Sequence, residues 1–208
     1  MTFIGDQGCF YLSSRDMLVN GNIPLLGFAS SRPWLHQGPL WTYLLAFFLW
    51  IFDFSPVSGA YLTIIIGILS IIGMYIIGSI LFSKRVGLVS SLLYATSPLL
   101  VFYMRFPYHT SPIPIFVITL IFSLYKITQN KLIYLPIVIF LLTILYNFEI
   151  ATVVLWAVVF GILGYKLSKK EISFKEMINK KILTLSAIGL LVPLLPMILY
   201  DVRNGFPQ

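Results

Sequence analysis

The sequence predicts an all-α protein, a polytopic transmembrane helix bundle with interfacial helices in its first outer loop. Apolar residues make up 59% of the 208 residues and charged residues only 10%, and the mean hydropathy is +0.94. A soluble domain of this size could not cover its surface with so few charged side chains. The apolar runs, such as residues 60–82, are also continuous rather than alternating, which favours helices over the strands of a membrane barrel.

Apolar segments of suitable length follow one another along most of the chain. Residues 6–24 suit an interfacial helix that stops at Gly21, and a helix over 40–52 is too short to span a bilayer. Spanning helices are predicted over 57–82, 87–104, 112–127, 132–147, 150–166 and 182–200. The predicted organisation is therefore an outer loop, residues 1–56, and a bundle of about six spans, residues 57–208.

The lysines predict which connections face the cytoplasm. All nine lie in three alternate gaps between the apolar segments, at 84, at 126–131 and at 166–181. By the positive-inside rule these gaps are cytoplasmic, and Asp6 lies on the extracytoplasmic side. The net charge of +7 then reflects membrane topology and attraction to membrane lipid, and we expect no nucleic-acid partner.

A second group of polar residues is predicted on the face opposite the lysines. They are Asp6, Asp16, His36, Arg105, His109, Glu149, Asp201 and Arg203. Because the chain begins on this outer face with no helix before it, we expect a fragment truncated at both ends, which lacks a first spanning helix. Such a truncated chain could be inactive by itself.

Each outer residue has a structural and a functional interpretation. Asp6 suits the N-cap of the first helix, and a carboxylate there could also act on a substrate. His36 and His109 are either ordinary hydrogen-bonded groups or substrate and metal ligands. Arg105, at the end of a predicted span, either reaches lipid headgroups or clamps a phosphate.

Two further acids are open to the same question. Glu149 lies between two apolar runs, where it is either a costly buried group with a function or the wet tip of a turn. Asp201 has Arg203 as its nearest predicted ion-pair partner, a pair worth little. No Walker loop, zinc-protease helix, CxxC or GxSxG motif occurs in the chain, and its single cysteine, Cys9, excludes an internal disulfide.

The order of these elements resembles the glycosyltransferase C superfamily, especially relatives of dolichyl-phosphate-mannose protein mannosyltransferases and the lipid A aminoarabinose transferase. The matching segments are "GDQG", "NGNIPLLG", "HQGPLWTYLLAFFLWIFDFSPVSG", "LFSKRVGLVSSLLYATSPLLVFYMR" and "ILYDVRNGF". The resemblance implies an inverting enzyme in the plasma membrane of a prokaryote. It would transfer a sugar from a polyprenyl-phosphate-linked donor to a hydroxyl of a protein or lipid acceptor on the outer face.

The resemblance also assigns roles to individual residues. Asp6 occupies the place of an essential acid in the first outer loop, and "HQGP" matches a His-Gly-Pro-like element. Relatives often show Gln-x-His where this chain has Leu145 and Asn147, so no role of that histidine transfers. The resemblance therefore implies Asp6 as the catalytic residue, a divalent metal in some members, and substrate-binding residues at His36, Arg105, His109, Glu149 and Asp201.

A second hypothesis belongs to a different functional class. The same arrangement could bind or transport a lipid-linked sugar without any chemistry. Turnover of a labelled polyprenyl-phosphate sugar would distinguish the enzyme from the carrier.

Overall fold

The structure, a computed structural model, describes residues 5–30, 34–177 and 179–206, without the side chains of residues 174 and 175. These residues form ten α-helices: α1 (Gly5–Asn20), α2 (Leu40–Ile51), α3 (Ser58–Leu81), α4 (Lys84–Thr96), α5 (Pro98–Met104), α6 (Ile113–Thr128), α7 (Leu135–Phe148), α8 (Val154–Ser168), α9 (Phe174–Met177) and α10 (Lys180–Asn204). Single 3₁₀ turns, Leu132–Tyr134 and Ile150–Val153, lead into α7 and α8. The predicted all-α class is confirmed.

Several helices have the length and composition to cross a membrane. Three qualify individually, namely α3, the unit Ile150–Ser168 that contains α8, and α10. The helices α4 and α5 together make a fourth candidate, and α2, α6 and Leu132–Phe148 are shorter apolar helices. The protein is thus a multi-pass membrane helix bundle. The number of membrane crossings, and the division of the chain into an outer loop (residues 1–56) and a bundle (residues 57–208), stay predictions.

The predicted continuous helix over 87–104 is corrected by the structure to two helices. The axes of α4 and α5 differ by 61°. Ser97, between them, has extended backbone angles (φ −64°, ψ 117°). Pro98 follows it, and the ring of a proline disfavours helical conformation at the preceding residue. The chain therefore turns at Ser97 before it reaches the connection at residues 105–112.

Helix α7 lies at the centre of the packing. It contacts α6, α10 and α2, and Leu142 and Leu145 on it are almost fully buried. One apolar core joins α6, α7 and α8. A second core lies beneath α1 and α2 and includes Phe10, Trp41 and Phe148. The second core supports the end of the bundle where the predicted site residues gather.

We call that end the site end and define it by α1, residues 27–30 and 34–38, the 105–112 connection and the last turn of α7. The opposite end, with the α3–α4 and α6–α7 connections, the end of α8 and the start of α10, is called the lysine end because the lysines lie in or beside these parts of the sequence. At the site end, Ser14 Oγ of α1 donates to the carbonyl of Thr42 (3.0 Å). Tyr11 Oη donates to the carbonyl of Pro56 (2.9 Å) and accepts from the amide of Gly59 (3.0 Å). These hydrogen bonds hold α1 against α2 and against the start of α3.

Candidate functional site

Asp6 faces the 105–112 connection from the first turn of α1. The helix begins at Gly5, so Asp6 lies inside it and is not the N-cap that the sequence suggests. A carboxylate in the first turn is favoured by the helix dipole. The phenol of Tyr108 donates a hydrogen bond to Asp6 Oδ2 at 3.1 Å. Two residues 102 positions apart in the chain thereby share one site.

A second carboxylate pairs with the histidine of the same connection. His109 Nε2 lies 3.3 Å from Glu149 Oε2, and Gln37 Nε2 donates to the same oxygen at 3.3 Å. Gln37 Nε2 is also 3.1 Å from His109 Nε2. The imidazole is almost fully buried, whereas the Glu149 side chain is 31% exposed. Three segments of the chain thus converge on one carboxylate oxygen.

Glu149 also shapes the chain between α7 and α8. Its side chain accepts from the amide of Ala151 (3.4 Å), and its carbonyl accepts from Thr152 Oγ1 (2.8 Å). The residue therefore caps the 3₁₀ turn and still reaches His109 with its other oxygen. Glu149 therefore lies at a turn and is half-buried, and its action on a substrate stays a prediction.

The electrostatics of this cluster follow from burial beside two acids. Burial lowers the pKa of His109 below its usual value, although the hydrogen bond to Glu149 and the charges of Glu149 and Asp6 oppose the shift. The neutral imidazole is therefore its main form at pH 7. Burial, together with the hydrogen bond to Asp6, raises the pKa of Tyr108 to about 12. Tyr108 consequently keeps its proton and remains a donor to Asp6.

A neutral imidazole has one donor nitrogen and one acceptor nitrogen. His109 Nδ1 is buried and has no hydrogen-bond partner among the described residues. If the proton is on Nε2, it is paired with Glu149, and only the lone pair of Nδ1 lacks a partner. The geometry favours this form, because an unpaired buried N–H is the costlier state. Glu149 Oε2 then accepts from both Gln37 and His109.

Aromatic rings form one wall of the site. Phe10 of α1 contacts the rings of Tyr108 and His109, with centroid distances of 5.9 and 5.5 Å, and those two rings lie 4.2 Å apart. The pocket beside them has a volume of about 420 Å³. Its lining comprises Phe28, Ala29, Ser30, Gln37, Tyr108, His109 and Glu149. A pocket of this size with several polar groups suits a small polar ligand.

Arg105 lies at a different feature, an apolar groove between α3 and the α4–α5 pair. The groove has a volume of about 250 Å³, and its walls include Ile68, Ala95 and Leu100. Arg105 is exposed and lines the groove as the residue that ends α5. It is three residues from Tyr108, so the two Cα atoms are at most about 11 Å apart. Groove and pocket are therefore neighbours, although Arg105 makes no ion pair with a described acid.

Besides Arg105, two predicted site residues lie outside the cluster. The backbone of His36 pairs with Ala29, and from this segment the side chain that reaches His109 and Glu149 is Gln37. Asp201 lies in the last turns of α10, and its Oδ1 atom is buried without a partner among the described residues. No ion pair joins it to Arg203, because positions i and i+2 of a helix do not face each other.

A metal site was left open by the sequence. Among the residues that the structure describes, no group of three or more His, Cys, Asp or Glu side chains converges to hold a metal ion. The two carboxylates of the cluster instead accept hydrogen bonds from Tyr108 and Gln37. Gln37 and Tyr108 were missed as site residues, although each is adjacent in sequence to a histidine that was considered.

Comparison with known proteins identifies one family. A family model described as dolichyl-phosphate-mannose-protein mannosyltransferase matches residues 36–200, which is most of the chain. The matched range includes Gln37, Arg105, His109 and Glu149, and it begins after Asp6. No curated protein and no solved structure gives a significant match.

Proposed function

Because the chain belongs to the dolichyl-phosphate-mannose-protein mannosyltransferase family, we propose that it transfers a sugar from a polyprenyl-phosphate-linked donor to an acceptor hydroxyl. The acceptor is a protein or a lipid at the extracytoplasmic face of a prokaryotic plasma membrane. The observation that carries this proposal is the convergence of Gln37, Tyr108, His109 and Glu149 around one pocket at the site end, with Asp6 bonded to Tyr108.

In the proposed reaction Asp6 is the general base. The acceptor hydroxyl gives its proton to the Asp6 carboxylate while its oxygen bonds to the anomeric carbon of the sugar. The bond from that carbon to the phosphate oxygen breaks, and the electron pair leaves with the polyprenyl phosphate. Attack from the face opposite the leaving phosphate inverts the anomeric centre. No lysine or arginine that the structure describes forms an ion pair with Asp6, so its carboxylate is available as a base.

The neighbours of Asp6 divide into positioning and binding groups. Tyr108 holds one oxygen of the Asp6 carboxylate and leaves the other free for the incoming proton. Gln37 and Glu149 line the pocket, and their amide and carboxylate suit the hydroxyl groups of a sugar. Neutral His109, with its proton on Nε2, donates to the same Glu149 oxygen as Gln37 and adds no charge to the cluster.

The groove at Arg105 supports a lipid-linked donor. An apolar groove that opens between membrane helices suits a polyprenyl chain, and a guanidinium at its edge suits a phosphate. With the phosphate at Arg105, the attached sugar would reach the neighbouring pocket. Arg105 would then stabilise the charge of the departing phosphate.

Lysine placement supports the proposed orientation. All nine lysines lie, in the sequence, in or beside the connections of the lysine end, and Asp6 lies in α1 at the site end. Lysine-rich connections remain in the cytoplasm during membrane insertion, so the site end would face outward. The donor's phosphate and sugar would meet the site in the headgroup layer of the outer leaflet.

The test is sugar transfer by the full-length protein in native membranes. With tritiated polyprenyl-phosphate-mannose as donor, Asp6→Asn should lower the rate of mannose release from the lipid by about 100-fold or more, since a general base is removed. Asp16→Asn is the matched control, because Asp16 lies on the same helix and is paired with Asn20 and Asn22. It should keep the wild-type rate.

Two outcomes would count against the proposal. Full transfer by Asp6→Asn would remove Asp6 as the base. Donor binding and movement across the membrane by the wild-type protein, with no release of mannose, would identify a carrier instead.

A further inference from the structure

The segment that carries Gln37 is held by backbone bonds on two sides. The amide of Gln37 donates to the carbonyl of Phe28 (2.9 Å), and its carbonyl accepts from the amide of Gly27 (2.8 Å). On the other side, the amide of Gly38 donates to the carbonyl of Asn147 (3.0 Å) at the end of α7. The Gln37 amide group is thus presented from a short, fixed piece of backbone.

Gly38 is pressed directly against the Asn147 side chain. A Cβ atom at Gly38 would lie 1.7 Å from Asn147 Oδ1 and 2.2 Å from its Cγ. On the far side, a Cβ atom at Gly27 would lie 2.3 Å from the carbonyl oxygen of Gly38. A side chain at Gly27 would force backbone to move, and a side chain at Gly38 would displace the Asn147 side chain, so Gly27, Gly38 and Asn147 form three close layers.

Asn147 is itself fixed by a third element. Its side chain is buried (the residue is 2% exposed), and Nδ2 donates to the carbonyl of Pro193 in α10 at 2.9 Å. A weaker bond runs from Nδ2 to the carbonyl of Thr143 (3.4 Å) one turn earlier in α7. An amide that bonds between membrane helices holds them in one relative position. Asn147 therefore joins α7, α10 and the Gln37 segment.

The same residue also lies two positions before Glu149. We propose that Asn147 is a positioning residue: it fixes Gln37 opposite Glu149 and His109 through its contacts with Gly38 and Pro193. This inference rests on the proposed function, because Gln37 is taken to act on the sugar.

The test is a double-mutant cycle on the full-length protein, with tritiated polyprenyl-phosphate-mannose as donor. Asn147→Ala and Gly38→Ala should each lower kcat/KM about tenfold or more, because a misplaced substrate-binding group costs rate. If both act through Gln37, neither should lower kcat/KM further in a Gln37→Leu background.

Two matched controls separate positioning from general damage. Asn204→Ala removes another amide that donates to a helix carbonyl, that of Tyr200 at 2.8 Å, far from the site in sequence. Gly161→Ala adds a methyl group where nothing lies within 4 Å. Both should leave kcat/KM unchanged, and the unfolding midpoint of every variant is measured in parallel.

Additive losses in the cycle, or no loss with Asn147→Ala, would overturn the positioning role. If Asn147→Ala does not fold, Asn147→Asp takes its place, because a carboxylate keeps the shape and cannot donate to Pro193; the same coupling is expected. The Asp6→Asn experiment is independent of this cycle. Sugar transfer by Asp6→Asn would contradict the proposed function, whereas the cycle alone tests the positioning role of Asn147.

Discussion

At the scale of single residues, the site places buried polar groups between two acids. The imidazole of His109 is only 4% exposed, and its partners come from residues 37 and 149, far away in the chain. Tyr108, next to it, bonds the other acid, Asp6. Tyr108 and His109, which are adjacent in the chain, therefore bond two different carboxylates, and each of these bonds can be tested separately.

Tyr108→Phe should lower sugar transfer about tenfold, because it removes a hydrogen bond to a charged group and keeps the ring. The ring contacts with Phe10 and His109 would remain, so the unfolding midpoint should change little. Tyr103→Phe is the control, since Tyr103 lies on α5 with an exposed side chain. An unchanged transfer rate for Tyr108→Phe would mean that Asp6 needs no help from the phenol.

The lowered pKa of His109 makes the folded state sensitive to acid. Below the ordinary imidazole value of about 6.5, the unfolded chain binds a proton there that the folded chain binds less readily. Stability should therefore fall as the pH drops through 6.5 toward the lower folded value. His109→Gln should show a smaller fall in unfolding midpoint between about pH 7 and pH 5.5. An equal slope in both proteins would contradict the burial of a neutral imidazole.

At the scale of elements, close approach between helices depends on residues without side chains. Helices α3 and α4 form the most extensive contact in the described bundle. A Cβ atom on Gly78 would lie 2.9 Å from the Cα of Gly87. A Cβ atom on Gly87 would lie 2.2 Å from Ser79 Oγ and 2.5 Å from the carbonyl oxygen of Tyr75. The two helices could not pack this closely with larger residues.

Gly87→Leu should destabilise the protein by about 1–3 kcal/mol, because the added side chain overpacks this contact. The expected result is a lower unfolding midpoint in detergent. Gly164→Leu is the matched control, since a Cβ atom on Gly164 meets nothing within 4 Å. Similar midpoints for the two variants would show that α3 and α4 can separate without cost.

At the scale of the whole molecule, charge divides the bundle into two ends. The site end contains both carboxylates of the candidate site, and the lysines lie, in the sequence, in or beside the connections of the lysine end. One lysine is buried there: Lys166 Nζ contacts the carbonyl of Thr128 and the carboxylate of Glu171. The hydrogen bond to Thr128 joins the end of α8 to the end of α6, so the lysine end also has a structural role.

Cysteine labelling of intact cells tests the orientation of the whole molecule. Cys9, the single cysteine, is exposed at the site end and should react with a membrane-impermeant maleimide. In a Cys9→Ser background, Lys169→Cys should react only after the cells are opened. The reverse labelling pattern would place the site end in the cytoplasm. The site could then not contact the proposed donor, whose sugar lies at the extracytoplasmic face.

Much of the fold was predictable because long apolar runs have one stable form in lipid. Backbone groups in a bilayer must be paired within the segment, so continuous runs such as 57–82 become helices with bounds close to those predicted. The bend at Ser97 was missed, although Pro98 signals it, because the apolar run continues through it. Asp6, His109 and Glu149 were selected as polar groups in an apolar chain, and the structure brings these three together.

The sequence by itself determined the helices, the family and the grouping of the lysines in alternate gaps, since each depends on local composition or residue order. Only the tertiary structure decided which polar groups meet. Gln37 joins the cluster where His36 was expected, and Asp201 lies apart from it, because side-chain encounters depend on how distant helices pack. The close approach of Gly38 to Asn147 results from that packing, and no local pattern in the sequence predicts it.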